Sequence, residues 1–243
     1  MLRIVCFAEA PADAKLGSAL GDRVMTEEGP DWVYADLLPD LRAWTGLERE
    51  ASFAKWTDLK KHPSPRYIGH PASGPRGTDY AMAFKALSQA ALIARDESDA
   101  LAVVLLRDAD ATDDNRAGLP QAVAEPRFAE LHVVLGITDK MREAWVLSGF
   151  DPCSKAEEMQ LAELREAIGF DPTREPQRLR APDKAEPRHP KTALARLTGG
   201  DPDREERCWT EPSLTQLRER GANCGLAVYL DALRDKLLPL LAK

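Results

Sequence analysis

No apolar stretch in this chain approaches the roughly 18 residues that a membrane span requires, so no membrane association is expected. The opening "MLRIVCFAEA" meets Glu9 too soon, and lacks the cleavage pattern, to be a secretory leader. Cysteine is scarce: Cys6, Cys153, Cys208 and Cys224 lie far apart without a CxxC spacing, and His62, His70, His132 and His189 form no HxxxH or HxH pair. These spacings argue against a zinc site and make reduced thiols in a cytoplasm the expectation. Positive charge is also short. The net charge is −7 and the pI about 5.3, whereas a protein that grips long nucleic acid by itself is usually basic. A local patch or a partner subunit would have to supply any such surface. No internal repeat is visible. What remains is 243 residues, 44% apolar and 30% charged, which suits a soluble globular chain of one large domain or one domain with an appendage.

Hydrophobic patterning predicts a first strand over Leu2–Ala8. Pro11 then suits the first turn of a helix running through about Leu20. Residues 31–38 fit a strand or a short helix equally, and Arg42–Leu59, with Trp44 and Trp56, reads as helical. Lys60–Tyr80 is a locally basic, Pro- and Gly-rich loop. A helix is expected over Asp79–Arg95, a strand over Leu101–Leu106, a helix from Asp113 or Asp114 toward Glu125, a strand over Leu131–Ile137 and a short helix over Lys140–Leu147. The two continuous apolar runs suit strands buried on both faces of a parallel sheet. After Gly149 the composition shifts. Ser154–Ile168, Lys191–Leu197, Ser213–Arg220 and Leu226–Leu241 read as helices, and Asp171–Pro190 as an extended, partly mobile basic loop with five prolines. The alternation predicts an α/β core with a mostly parallel sheet flanked by helices over residues 1–149, interrupted by inserted helices and loop over about 40–80, and a mainly helical C-terminal extension packed on it over 150–243.

Ligands of such sheets sit beyond the carboxyl ends of the strands, and two of these strands end in acids. The first reaches Glu9; the second, "VVLLRDADATDD", reaches Asp108 and Asp110. Alone, the Asp pair is as well explained by capping of the next helix. With Glu9 at the same sheet edge, three carboxylates would repel unless a cation neutralised them or their pKa values rose. All-oxygen ligation favours Mg²⁺ or Mn²⁺. The stretch also fits the DxDxT motif of haloacid-dehalogenase phosphatases, although that motif normally opens its domain and this one lies near mid-chain. An EF-hand is excluded, because Asp113 and Leu119 stand where Gly and Glu are needed.

"IVCFAEAPADAKL" resembles the opening of TOPRIM domains, and "VVLLRDADATDD" resembles their second, DxD motif. "MREAWVLSGFDP", "RHPKTALARL" and "LRERGANCGLAVYLDAL" resemble segments of small stand-alone bacterial TOPRIM-like proteins, which are related to the nuclease half of overcoming-lysogenization-defect (OLD) nucleases. One departure is that Ala10 follows the glutamate where the family usually has Gly, which is tolerable if φ stays negative. The resemblance implies a Mg²⁺- or Mn²⁺-dependent nuclease, acting on DNA or RNA with an AAA/ABC-type ATPase in phage defence. It maps Glu9, Asp108 and Asp110 onto the metal-binding acids. Asp13, a helical turn after Glu9, is a further candidate ligand or simply a first-turn acid favoured by the helix dipole. Asp113 and Asp114 suit caps or outer groups. Glu143 either faces the site or lies on a helix surface. Lys191, with Arg188 and His189, either stabilises charge on the scissile phosphate or belongs to a solvated basic loop. No tyrosine has the flanking pattern of a topoisomerase nucleophile. The alternative from another class is a non-catalytic TOPRIM-like subunit that docks on the ATPase through its acidic edge.

Overall fold

The computed structural model describes residues 1–62, 79–109 and 113–241, with the side chains of 113–116 excepted. It is an α/β fold with five strands, β1 (Leu2–Ala8), β2 (Arg42–Thr45), β3 (Ala54–Lys55), β4 (Ala100–Asp108) and β5 (His132–Thr138), in one sheet of order β2-β1-β4-β5, with β3 also paired to β1. β1 (Leu2–Ala8) is buried along its whole length. It pairs in parallel with β4 (Ala100–Asp108) from Leu2↔Ala100 to Phe7↔Leu105. On its other side it pairs with β2 (Arg42–Thr45) and, further along, with β3 (Ala54–Lys55). The near-continuous apolar sequences of β1 and β4 follow from this central position, since both faces of each strand are covered.

α1 (Pro11–Glu27) follows β1, and α3 (Tyr80–Asp96) precedes β4. Val5, Phe7, Val103 and Leu105 pack in one cluster with Ala83 and Leu87 of α3 and Leu119 of α4 (Asp113–Val123). β5 is His132–Thr138. Burying a side chain of this kind stabilises by roughly 1.5–3 kcal/mol, so the sheet centre carries much of the fold's stability.

Two sequence expectations are corrected. Residues 31–37 form turns and irregular chain that lead into α2 (Leu38–Leu41), so the stretch 31–38 is neither a strand nor a helix of its own. Arg42–Leu59 is not helical: it holds β2, β3 and the start of a 3₁₀ segment, Trp56–Lys61. The reason is visible in the side chains. Arg42 and Trp44, two apart and hence on one face of a strand, both donate to Asp22 of α1, at 2.6–2.8 Å and 2.7 Å. Trp44 also lies so close to α1 that a Cβ on Gly21 would sit 2.6 Å from its ring. Trp56 donates to the Leu106 carbonyl at 2.8 Å. The tryptophans are anchors of a sheet edge, not a helical stripe. Arg3, buried within β1, donates to Thr45 Oγ1 at 2.9 Å and to the Leu47 carbonyl at 2.9 Å, and pairs with Glu97.

The chain divides into two compact units, Met1–Ile137 with Ala232–Lys243, and Thr138–Asp231. The second holds α5 (Arg142–Ser148), α6 (Lys155–Ile168), α7 (Pro190–Thr198), α8 (Pro202–Thr210) and α9 (Leu214–Gly221), while α10 (Leu226–Leu241) runs from it into the first unit. α5 is its centre. Trp145 stacks on Tyr229 at 4.9 Å and donates to the Cys224 carbonyl at 2.8 Å. α8 had no counterpart in the sequence reading: "PDREERCWT" shows too few apolar residues for a periodic signal. It is set by Asp201, whose side chain accepts from Asp203 N, by Pro202 at the first position, and by burial of Cys208 and Trp209. The proline-rich stretch is tied down at several points. Arg188 donates to the Ile168 carbonyl at 2.7 Å, and Arg178 lies over the Phe170 ring at 4.3 Å. No helix among the described residues is long and apolar enough to cross a membrane.

Candidate functional site

The parallel pairing of β1 with β4 brings the two acidic strand ends together. Phe7 is opposite Leu105, so Glu9 and Arg107–Asp108 leave the sheet side by side. Glu9 Oε1 accepts a hydrogen bond from the Asp108 amide at 3.2 Å and another from the Arg107 guanidinium at 2.6 Å. Arg107 turns its other edge to Asp79, with Nε at 2.9 Å from one carboxylate oxygen and the second terminal nitrogen at 3.2 Å from the other. Asp79, the residue before α3, is only 4% exposed. One cation thus bridges a buried carboxylate and a half-exposed one at the end of the sheet. A fork of this kind matches carboxylate geometry, and its charge offsets the desolvation of Asp79.

Asp13 does something different. Its carboxylate reaches back to the Ala10 amide at 2.9 Å and so closes the first turn of α1. Ala10 itself is extended, at φ −138° and ψ 161°. Glycine is not needed there, because φ is negative. Asp110 lies outside the described residues, as do the side chains of Asp113 and Asp114; α4 begins at Asp113. Among the described residues, no group of three or more His, Cys, Asp or Glu side chains is arranged to hold a metal. Glu9 meets Asp108 through the Asp108 amide, and both residues carry carboxylates, the donor chemistry Mg²⁺ and Mn²⁺ prefer.

Lys191 lies in the second unit, exposed, at the second position of α7. Its amide donates to Nδ1 of the buried His189, which caps the helix, at 3.2 Å. Burial holds His189 below the ordinary histidine pKa, which favours the neutral ring that accepts that bond. Arg188 is engaged at the C-terminus of α6, as described above. Glu143 is buried in α5, and Arg142 of the same helix approaches it at 3.8 Å and Glu205 at 3.2 Å. Nearby, Asp139 pairs with Arg180 at 2.9 Å, and Lys140 donates to the Arg180 carbonyl at 2.5 Å. Lys140 is the one non-glycine residue with positive φ among the described residues, at 77°. This is an uncommon conformation for a side chain with a Cβ.

Sequence reasoning missed Arg107 and Asp79. The available signal was the Arg itself, a charge interrupting an apolar strand one residue before its acids. Asp79 had no signal beyond its place at a helix start. No family model matches the chain, and neither a curated protein nor a solved structure matches it.

Proposed function

We propose that this chain is a Mg²⁺- or Mn²⁺-dependent TOPRIM-like nuclease, an effector of bacterial phage defence that works with an AAA/ABC-type ATPase in the cytoplasm. The observation that carries the reading is the contact between the Glu9 carboxylate and the Asp108 amide at the carboxyl ends of adjacent parallel strands. The resemblance of "FAEAPAD" and "RDAD" to the two TOPRIM motifs supports the same pairing. Glu9, Asp108 and Asp110 would hold the ion, which when bound would activate water and neutralise charge on the phosphodiester. Within the chain, the Asp108 amide orients Glu9, and Asp13 fixes the turn that carries it. Arg107 balances the local negative charge and keeps Glu9 at the strand end. Lys191 is the proposed charge-stabilising cation.

A second reading is favoured by one observation: Arg107 already occupies the position of a cation there, paired with both Glu9 and Asp79. A subunit that keeps the fold without catalysis, and docks on the ATPase through this edge, would need no ion there. The two are separated by incubating the purified chain, with and without a candidate ATPase, with plasmid DNA and with tRNA in Mg²⁺ or Mn²⁺. The nuclease reading expects cleavage that Glu9→Gln and Asp108→Asn each abolish. Cleavage that survives both substitutions refutes the assignment of these acids. The absence of cleavage under every condition favours the docking subunit.

A further inference from the structure

The turns before α2 present two aromatic side chains that the fold does not use. Trp32 is 47% and Tyr34 59% exposed, while Val33 between them is turned into the core. Among the described residues, no ring contact, hydrogen bond or cation engages either side chain. The segment is nonetheless held in place. The Val33 amide bonds the Pro30 carbonyl at 2.8 Å, and the Leu37 and Leu38 amides bond the Tyr34 carbonyl at 3.0 and 3.1 Å. Pro30 and Pro39 restrict the backbone at either end. Exposed, pre-ordered aromatics with unused polar tips are the residues that dominate binding interfaces, because little entropy is lost when they are covered.

Charge selects what covers them. Residues 31–40, "DWVYADLLPD", contain Asp31, Asp36 and Asp40 and no Lys, Arg or His. The three carboxylates are exposed, and no ion pair among the described residues involves them. This field repels polyphosphates and anionic lipid, and it attracts a cationic chain. Arg and Lys also stack favourably on Trp and Tyr faces. We propose that Trp32 and Tyr34, with the exposed Asp31, Asp36 and Asp40 of the same segment, form a docking site for an Arg/Lys-rich segment of a partner protein. The proposal does not depend on the chemistry of the Glu9 site.

The test is fluorescence anisotropy of a labelled oligo-arginine peptide with the full chain, and with oligo-glutamate as the reversed-charge probe. The Trp32→Ala/Tyr34→Ala variant leaves net charge unchanged and should weaken oligo-arginine binding about tenfold or more. Asp31→Asn/Asp36→Asn/Asp40→Asn should weaken it as well. Glu130→Gln/Glu158→Gln/Glu166→Gln, which removes the same charge from exposed positions elsewhere, should change it little. Thermal melts confirm that each variant folds. The proposal is overturned if oligo-arginine does not bind, if the aromatic variant binds like the wild type, or if both acid triples lose equally. Sedimentation showing a dimer that the aromatic variant dissolves would also overturn it, by making a second copy of the chain the occupant.

Discussion

Replacing Arg107 with Met tests whether the bridge at the sheet end is a structural necessity. The substitution keeps most of the apolar stem and removes the guanidinium. Glu9 is then left at a site open to water, where losing an ion pair costs about 0–1 kcal/mol. Asp79 is different, because its side chain is 5% exposed and both of its oxygens are hydrogen-bonded by Arg107. Breaking a buried pair from one side costs about 3–5 kcal/mol, chiefly from the stranded charge. Arg107 is itself 20% exposed, so water reaches part of the bridge and the lower end, about 3 kcal/mol, is expected. At this chain length that is a fall in melting temperature of about 6–12 °C. Urea unfolding and a thermal melt measure it. The reasoning also requires a rescue. Arg107→Met/Asp79→Leu removes both charges and should recover most of the loss. The backbone at Asp79, φ −85° and ψ 0°, accepts leucine, and the Asp79 side chain makes no cap bond that would be missed. A single variant that loses less than about 1 kcal/mol would refute the bridge. A double variant as unstable as the single one would refute the stranded-charge explanation and point to lost packing of the arginine stem.

Arg107→Met should also strengthen Mn²⁺ binding in calorimetry if Glu9 and Asp108 hold an ion, since the competing cation is gone; unchanged affinity in a wild type that does bind Mn²⁺ would show that Arg107 does not compete. Glu157, whose side chain is 15% exposed, is held down to about 2 mainly by hydrogen bonds from Arg204. Its contribution, at most about 3 kcal/mol, is complete above the unfolded value near 4.5 and is lost as pH falls through about 2, so denaturant titrations across this window should lose that step in Glu157→Gln. Brief alkylation of the native protein, read by mass spectrometry, should label Cys153 alone: Cys6 and Cys208 are buried with thiols pushed up to about 12, and Cys224 is buried and raised too. Gly149→Ala should destabilise severely, because the new Cβ would lie 1.6 Å from the Cys208 carbonyl; a melting temperature within a degree or two of wild type would mean that α5 and α8 separate easily.

What the sequence discloses about this fold depends on how strongly each segment is dictated by its own pattern. β1 and β4 announce themselves because a central strand must be apolar on both faces, and their parallel pairing is what carries Glu9 to the Asp108 amide. The helices with clean caps are equally legible: Ser154 accepts from Glu157 N and Ser213 from Gln216 N, where the sequence placed their starts. Segments whose conformation is imposed from outside are not legible. β2 is a strand because Asp22, far away in sequence, holds Arg42 and Trp44 on one face, and no local period encodes that. The same division runs through the site. The acids at the strand ends can be read from order and type alone, since topology fixes where strand ends go. The role of Arg107 cannot, because its partner Asp79 comes from a helix start on another element and is recognised only once that helix is docked. Asp13 shows the converse hazard. Its spacing from Glu9 suits a ligand, but the spacing is equally that of a helix-closing acid, and its bond to the Ala10 amide is the one the local geometry supplies. A carboxylate committed to its own helix turn is a weak candidate for a metal. The proposed ion site therefore rests on Glu9, Asp108 and Asp110, with Arg107 as the charge that any incoming cation must displace or share.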